Sequence, residues 1–316
     1  MNLSEHVRTL GRGPGRSRSL TQDEARDAMH LMLSGKAAPE AVGALLMLLR
    51  MKGETAEEIA GFAEAAGQTG PALPPVDLDW PSYAAGRTRG QPLFLLSAKL
   101  VAQHGQRVLL HGWNGSDQKV REGLANAGIE VAHTADEAAR LLERYRIAYL
   151  PLEQMHPALF RLLALREVLG LRSCINTVCR MLNPGNARAS VQGVFHPSYR
   201  LLQADAAALL GWPALCVIKG GGGEFERHPS KDIVAFGLRD GRSWQETWPP
   251  LCSQKRRLAA REDLRVSDLW HGQSSPEFEV QTILGTASLA LRTLGIADSD
   301  ARAQALWMDR HTAQAA

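Results

Sequence analysis

Ala44-Leu45-Leu46-Met47-Leu48-Leu49-Arg50-Met51-Lys52-Gly53-Glu54-Thr55-Ala56-Glu57-Glu58-Ile59-Ala60-Gly61 decides the reading of this chain. An apolar run ends in a basic turn and a glycine, the ordinary way to stop a helix. Thr55 followed three residues later by Glu58 then forms a capping box, so a new helix starts there. Working back, Pro39 suits a helix start, and Thr21 with Glu24 forms an earlier capping box whose helix Gly35 stops. Working forward, Gly67 or Gly70 ends the third helix, and Pro71, Pro74 and Pro75 read as a linker. The middle helix is apolar nearly all round, so it must be buried on several sides. A small helical domain over 21–70 follows. Residues 1–20 read as a loose basic arm, with Arg8, Arg12, Arg16 and Arg18 among breaking glycines.

From residue 90 the pattern alternates short apolar runs with helices. Expected strands are Leu93–Leu96, Arg107–His111, Ile129–Ala132, Ile147–Leu150, Ser190–Phe195, Leu215–Ile218 and Ile233–Phe236. Expected helices include Gln118–Asn126, Ala135–Arg144 (opened by Thr134 with Glu137), Val280–Leu294 and Ala301–Asp309. Such alternation implies a mostly parallel sheet covered on both faces. The fold class is therefore α/β: a small all-helical domain plus a large domain over 76–155 and 182–316.

The 316 residues are 45% apolar and 22% charged, with a formal charge of only +3. Disorder is excluded for the chain as a whole, and global charge does not announce a nucleic-acid binder. No apolar run is long enough to span a bilayer, so no membrane partner is expected. No secretory leader is visible, and the four cysteines lack C-x-x-C spacing; both fit a reduced cytoplasmic protein.

Ligands of an open α/β sheet dock beyond the carboxyl ends of its strands. Two glycine-bearing loops lie at such ends: His111-Gly112-Trp113-Asn114-Gly115-Ser116 and Lys219-Gly220-Gly221-Gly222-Gly223. Backbone amides of Gly221 and Gly222 could approach an anion. Arginines are locally enriched. Arg87, Arg89, Lys99 and Arg107 fall in a stretch with no acid, and Arg161, Arg166, Arg172, Arg180, Arg188 and Arg200 face only Glu167 between 154 and 204. Guanidinium forks bind phosphate. The expected anion surface comprises Arg87, Arg89, Arg107, His111, Arg166, Arg172, Arg180, Lys219, Gly221, Gly222, Arg227 and Lys231.

The helical stretches, with His104-Gly105-Gln106-Arg107, His156-Pro157-Ala158, Arg166-Glu167-Val168-Leu169-Gly170-Leu171-Arg172-Ser173, Asn176 and Leu182-Asn183-Pro184, resemble family 3 glycosyltransferases. That family includes anthranilate phosphoribosyltransferase and the pyrimidine nucleoside phosphorylases. The resemblance implies a helical domain completed by helices near 156–181, and a homodimer formed through it. It also shows departures. The family's pyrophosphate loop G-T-G-G-D-G corresponds to Tyr83-Ala84-Ala85-Gly86-Arg87-Thr88-Arg89. Its K-H-G-N-R has lost the lysine, and most of its serine-rich hydroxyls are gone. Its adjacent magnesium-holding Asp-Glu pair is replaced by the spaced Glu224 and Glu226. These losses resemble the YbiB-type branch, which implies sequence-independent binding of DNA or RNA through a basic groove, no catalytic residue, no cofactor and no anthranilate phosphoribosyltransferase activity. The alternative is a phosphoribosyltransferase or phosphorylase with altered substrate and metal sites, in which magnesium would fall to Glu224 and Glu226.

Overall fold

The computed structural model describes residues 2–84, 90–113, 119–258 and 264–311. Four helices open the chain: α1 (Leu3–Gly11), α2 (Gln22–Leu33), α3 (Pro39–Lys52) and α4 (Ala56–Gln68). Both capping boxes form, with Thr21 and Thr55 accepting the amides of Glu24 and Glu58. Glu58 does more than cap. It is fully buried, accepts Leu20 N at 2.9 Å and meets Lys52 Nζ at 2.8 Å, so one carboxylate ties the entry of α2, the end of α3 and the start of α4.

The first 20 residues are not the loose arm expected. α1 forms there because Asn2 caps it and Leu3 and Leu10 find the core, while His6 meets Asp27 at 2.8 Å. The glycines act only after Gly11. In α3, Val42, Leu45, Leu46 and Leu49 are buried, but Met51 is 83% exposed, so burial there is less than all-round.

The large domain continues with β1 (Leu78–Ser82), α5 (Phe94–Gln103), β2 (Val108–Gly112), α6 (Lys119–Ala127), α7 (Ala135–Tyr145) and β3 (Ile147–Pro151). Then α8 (Leu152–Met155), α9 (Pro157–Leu169) and α10 (Ile175–Arg180) return to the helical domain. The chain closes with β4 (Ala189–Val194), α11 (Tyr199–Leu209), β5 (Ala214–Lys219), β6 (Ile233–Arg239), β7 (Arg242–Trp248), α12 (Val266–Trp270), α13 (Glu277–Thr293) and α14 (Ser299–Met308). The sheet order is β3-β2-β1-β4-β5-β6-β7. β1 to β5 run parallel, and β6 and β7 are antiparallel additions at one edge.

Strand alternation feeds two cores. Val108 and Leu110 join one with α5, α12, α13 and α14; Leu109 joins the other, continuous with the helical domain. Two expected strands are absent. Leu93–Leu96 begins α5, which is buried almost all round. A short apolar run does not by itself distinguish buried helix from buried strand. Ile129–Ala132 supplies only an isolated bridge from Val131 to Tyr149. No helix among the described residues is long and apolar enough to cross a membrane.

Candidate functional site

A cleft of about 680 Å³ opens where the two domains meet. The helical domain contributes Arg50 from α3, Arg166 from α9, Arg172 from the turn after it, and Asn176, Thr177 and Arg180 from α10. The large domain contributes Phe195 and His196 beyond the carboxyl end of β4, Tyr199 and Gln203 from α11, and Gly222 from the loop after β5.

Three guanidinium groups converge on one wall. Arg50 donates to the carbonyl of Arg172 at 2.6 Å. Arg172 is held below the usual arginine pKa, first by partial desolvation and then by the positive charges of Arg166 and Arg50. Mutual repulsion of this kind is relieved by an anion in the cleft. Arg166 also lies over the Trp113 ring, 5.9 Å from its centroid, and Trp113 packs edge-on against Phe160. Trp113 thus backs Arg166 from behind the lining, and the aromatic rings that line the cleft itself are Phe195 and Tyr199, beside the cationic forks.

The other expected site residues separate. Arg180 lines the cleft, but its guanidinium is buried and spent internally, on the carbonyls of Gly193 at 3.1 Å and Asn176 at 2.9 Å and on Asn176 Oδ1 at 2.6 Å. Arg107 does not face the cleft. It precedes β2, at the opposite end of the strands, with its amide on Asp77 Oδ2 at 2.7 Å. His111 is buried between Asp79 at 3.0 Å and the Tyr83 hydroxyl at 2.8 Å. That network continues through Ser190, which donates to Asp79 at 2.7 Å, so His111 is an internal strut beneath the cleft floor. Arg227 is buried too, donating to the carbonyl of Pro249 at 2.8 Å. Lys219, Gly221 and Lys231 line a separate depression of about 210 Å³ with Arg200 and His228. Arg87 and Arg89 lie outside the described residues. Arg166, Arg172 and Gly222 are thus brought together, whereas Arg107, His111 and Arg227 correct the single basic surface expected from sequence. Reading the arginines by count missed Arg50, although it stands in the decisive opening stretch, and missed Phe195 and Tyr199, while Asn176, named only as a family match, proves to line the cleft.

Glu224 and Glu226 are both buried and turned inward. Glu224 Oε1 accepts Ser82 Oγ at 2.9 Å and the Ala84 amide at 3.1 Å. Glu226 Oε2 accepts the Phe94 amide at 3.0 Å, at the start of α5. The loop carrying them packs directly on β4: a Cβ at Gly193 would lie 2.0 Å from the Glu224 carbonyl carbon. A magnesium ion needs carboxylate oxygens facing a shared, partly hydrated point. These carboxylates do not present one, and no cluster of three His, Cys, Asp or Glu side chains suited to a metal occurs among the described residues. With Glu224 Oε1 and Glu226 Oε2 held by internal donors, the described residues do not fit a magnesium site.

Residues 4–70 match the helical bundle domain of a glycosyl transferase family, and residues 93–245 match its a/b domain. An anthranilate phosphoribosyltransferase of Roseiflexus sp. (strain RS-1) is 31% identical over 266 residues, 80% of this chain and 76% of that one. The crystal structure of anthranilate phosphoribosyltransferase from Thermus thermophilus superposes with a TM-score of 0.81 at 20% identity, covering 99% of this chain and 95% of that one. The Saccharomyces cerevisiae enzyme in complex with PRPP and Mg gives a TM-score of 0.77 at 16% identity, covering 98% and 94%. These relatives overturn the expectation of a nucleic-acid binder: proteins similar along most of the chain are enzymes, and the basic groove on which that expectation stood is divided as described. Both domains match in order and together span most of the sequence, so the chain belongs to this glycosyl transferase family.

Proposed function

We propose that this chain is a pentosyltransferase, transferring a phosphoribosyl group to a planar, anionic acceptor held in the interdomain cleft. The observation that carries the reading is the convergence of Arg50, Arg166 and Arg172 in a cleft also lined by Phe195 and Tyr199 at the domain junction. The names of the relatives, anthranilate phosphoribosyltransferases, supply the reaction class. A guanidinium fork binds a carboxylate in a fixed plane, and the rings of Phe195 and Tyr199 give the acceptor ring apolar surface to lie against. Holding the acceptor's nucleophilic nitrogen against the donor's anomeric carbon supplies the proximity that such a transfer needs. The C–O bond to the leaving group breaks as the new bond forms. The altered loops belong to the same proposal: Glu224 and Glu226 act as buried tethers, and no step runs through them. Placement in the YbiB-type branch rests on those loops, as a statement of descent. A homodimer through the helical domain is also proposed, supported by the exposed apolar side chains of Met51 and Val168 on α3 and α9.

The test is a product assay. The full chain is incubated with phosphoribosyl pyrophosphate and a panel of aromatic carboxylates, anthranilate among them, with and without magnesium, and products are identified by mass spectrometry. A new N-ribosyl adduct above the protein-free control supports the reading. Failure across the panel in both conditions refutes it.

A further inference from the structure

A second cavity, of about 400 Å³, lies at the opposite end of the strands from the cleft. It opens at the amino ends of β4 and β5, where Arg188, Ala189, Pro213 and Ala214 stand, whereas the cleft lies beyond Val194 at the other end of β4. Six residues of strand separate the two, about 17 Å at the usual rise of roughly 3.3 Å per residue. Nothing in the proposed reaction uses this cavity.

Its walls are chemically specific. Cys216, Leu238 and Leu289 make a buried apolar floor. Trp244 and Trp248 on the edge strand β7 are half-buried and stand edge to face, 5.8 Å between centroids. Trp244 can lie close over the sheet because its cross-strand partner is Gly237, where a Cβ would come within 2.8 Å of the Trp244 ring. Arg188, Arg239 and Arg292 complete the lining, against one carboxylate, Asp240. Arg239 is paired with Glu246 at 3.1 Å, and Arg292 lies over Trp248 at 5.8 Å. Arg188 and Arg292 have no ion-pair partner among the described residues. The volume lies in the range of small-molecule pockets, roughly 300–1,000 Å³, at the end suited to one or two rings.

We propose that this cavity is a second ligand site, for a planar aromatic ring bearing an anionic group: the ring against Trp244 and Trp248, the anion on Arg188 and Arg292. The simpler alternative is that these arginines only cover the tryptophans of an exposed edge strand. The anion could be a carboxylate or a phosphate monoester, so both probes are used.

The experiment titrates the full chain in the Arg166→Ala background, which weakens the cleft's own affinity for aromatic anions, so that the variants at the second cavity report on that cavity. The probes are 2-naphthoate, its neutral amide, and adenosine 5′-monophosphate, read by tryptophan fluorescence and calorimetry. Saturable binding of 2-naphthoate or the nucleotide is expected, with the tighter probe identifying the anion class and the neutral amide far weaker. Adding Arg188→Gln with Arg292→Gln, both exposed positions, should weaken that binding at least about tenfold, the worth of lost charge-assisted contacts. Trp248→Leu should weaken it as well. Absence of saturable binding by either anion, equal binding of the neutral amide, or unchanged affinity in the double arginine variant would each overturn the proposal.

Discussion

The carboxylate of Glu226 accepts the backbone amide of Phe94 at 3.0 Å, so an internal anion sits at the amino end of α5. A helix start is a natural anion site because its first amides lack intrahelical partners. Here the protein fills it with its own side chain. Glu226→Ala should therefore destabilise the fold by about 1–3 kcal/mol, the range for a lost cap with a buried amide left unsatisfied. Glu226→Gln, which keeps a carbonyl acceptor, should lose less. Chemical denaturation with and without magnesium checks both points, because a tether predicts no stabilisation of the wild-type chain by the metal. Marked magnesium stabilisation that vanishes in Glu226→Gln would restore the metal role.

Gly193 tests the same loop from the other side. Gly193→Ala places a methyl against the Glu224 carbonyl. Backbone cannot yield as a flexible side chain does, so the variant should lose about 1–3 kcal/mol or more, read as a lowered denaturant midpoint.

Arg166 lies in the cleft wall and forms no ion pair among the described residues. Arg166→Ala should raise KM for an anionic acceptor and lower kcat/KM by about 10- to 100-fold, equivalent to roughly 1.5–3 kcal/mol of charge-assisted bonding. Stability should change little. Equal loss with a neutral acceptor would show that the arginine does not read the acceptor's charge.

His156 links the two helical segments and gives a pH dependence. Its Nε2 lies 3.1 Å from the Ala66 carbonyl of α4, and its Nδ1 accepts the Leu159 amide at 3.3 Å to cap α9. Burial holds its pKa below the ordinary 6.5. Between that lowered value and 6.5 the unfolded chain binds the proton and the folded chain does not, so stability rises with pH across this window. It should fall as pH drops through 6.5, with the loss complete below the folded value. His156→Asn keeps a capping side chain and removes the titration. Comparing unfolding midpoints of both proteins at neutral pH and well below 6.5 should show the extra loss in wild type alone.

The sequence made some features legible and hid others for identifiable reasons. Thr21 with Glu24 and Thr55 with Glu58 announced α2 and α4 because caps are local chemistry. Leu78–Ser82 escaped notice as β1 because Asp79 and Pro81 look like breakers. Asp79 is tolerated there by Ser190 and His111, neighbours supplied only by the folded sheet. The hairpin of β6 and β7 carried a readable signal, Asp240-Gly241, whose positive φ angles of 51° and 73° form a tight two-residue turn. In the site, Arg166 and Arg172 were legible as part of an arginine-rich stretch. Arg180, Arg227 and His111 carried the same apparent chemistry but are buried and used internally. Charge along a sequence does not say which cations remain available to a ligand, and that difference decides between a groove and a cleft.

The most direct measurement of the central claim is the transfer reaction itself, run with phosphoribosyl pyrophosphate and aromatic carboxylates on wild type and Arg166→Ala in parallel. The account predicts an N-ribosyl product with wild type and a large loss of kcat/KM with Arg166→Ala, while both proteins stay folded. No product from folded wild-type protein with any acceptor, or full activity in Arg166→Ala, would contradict it.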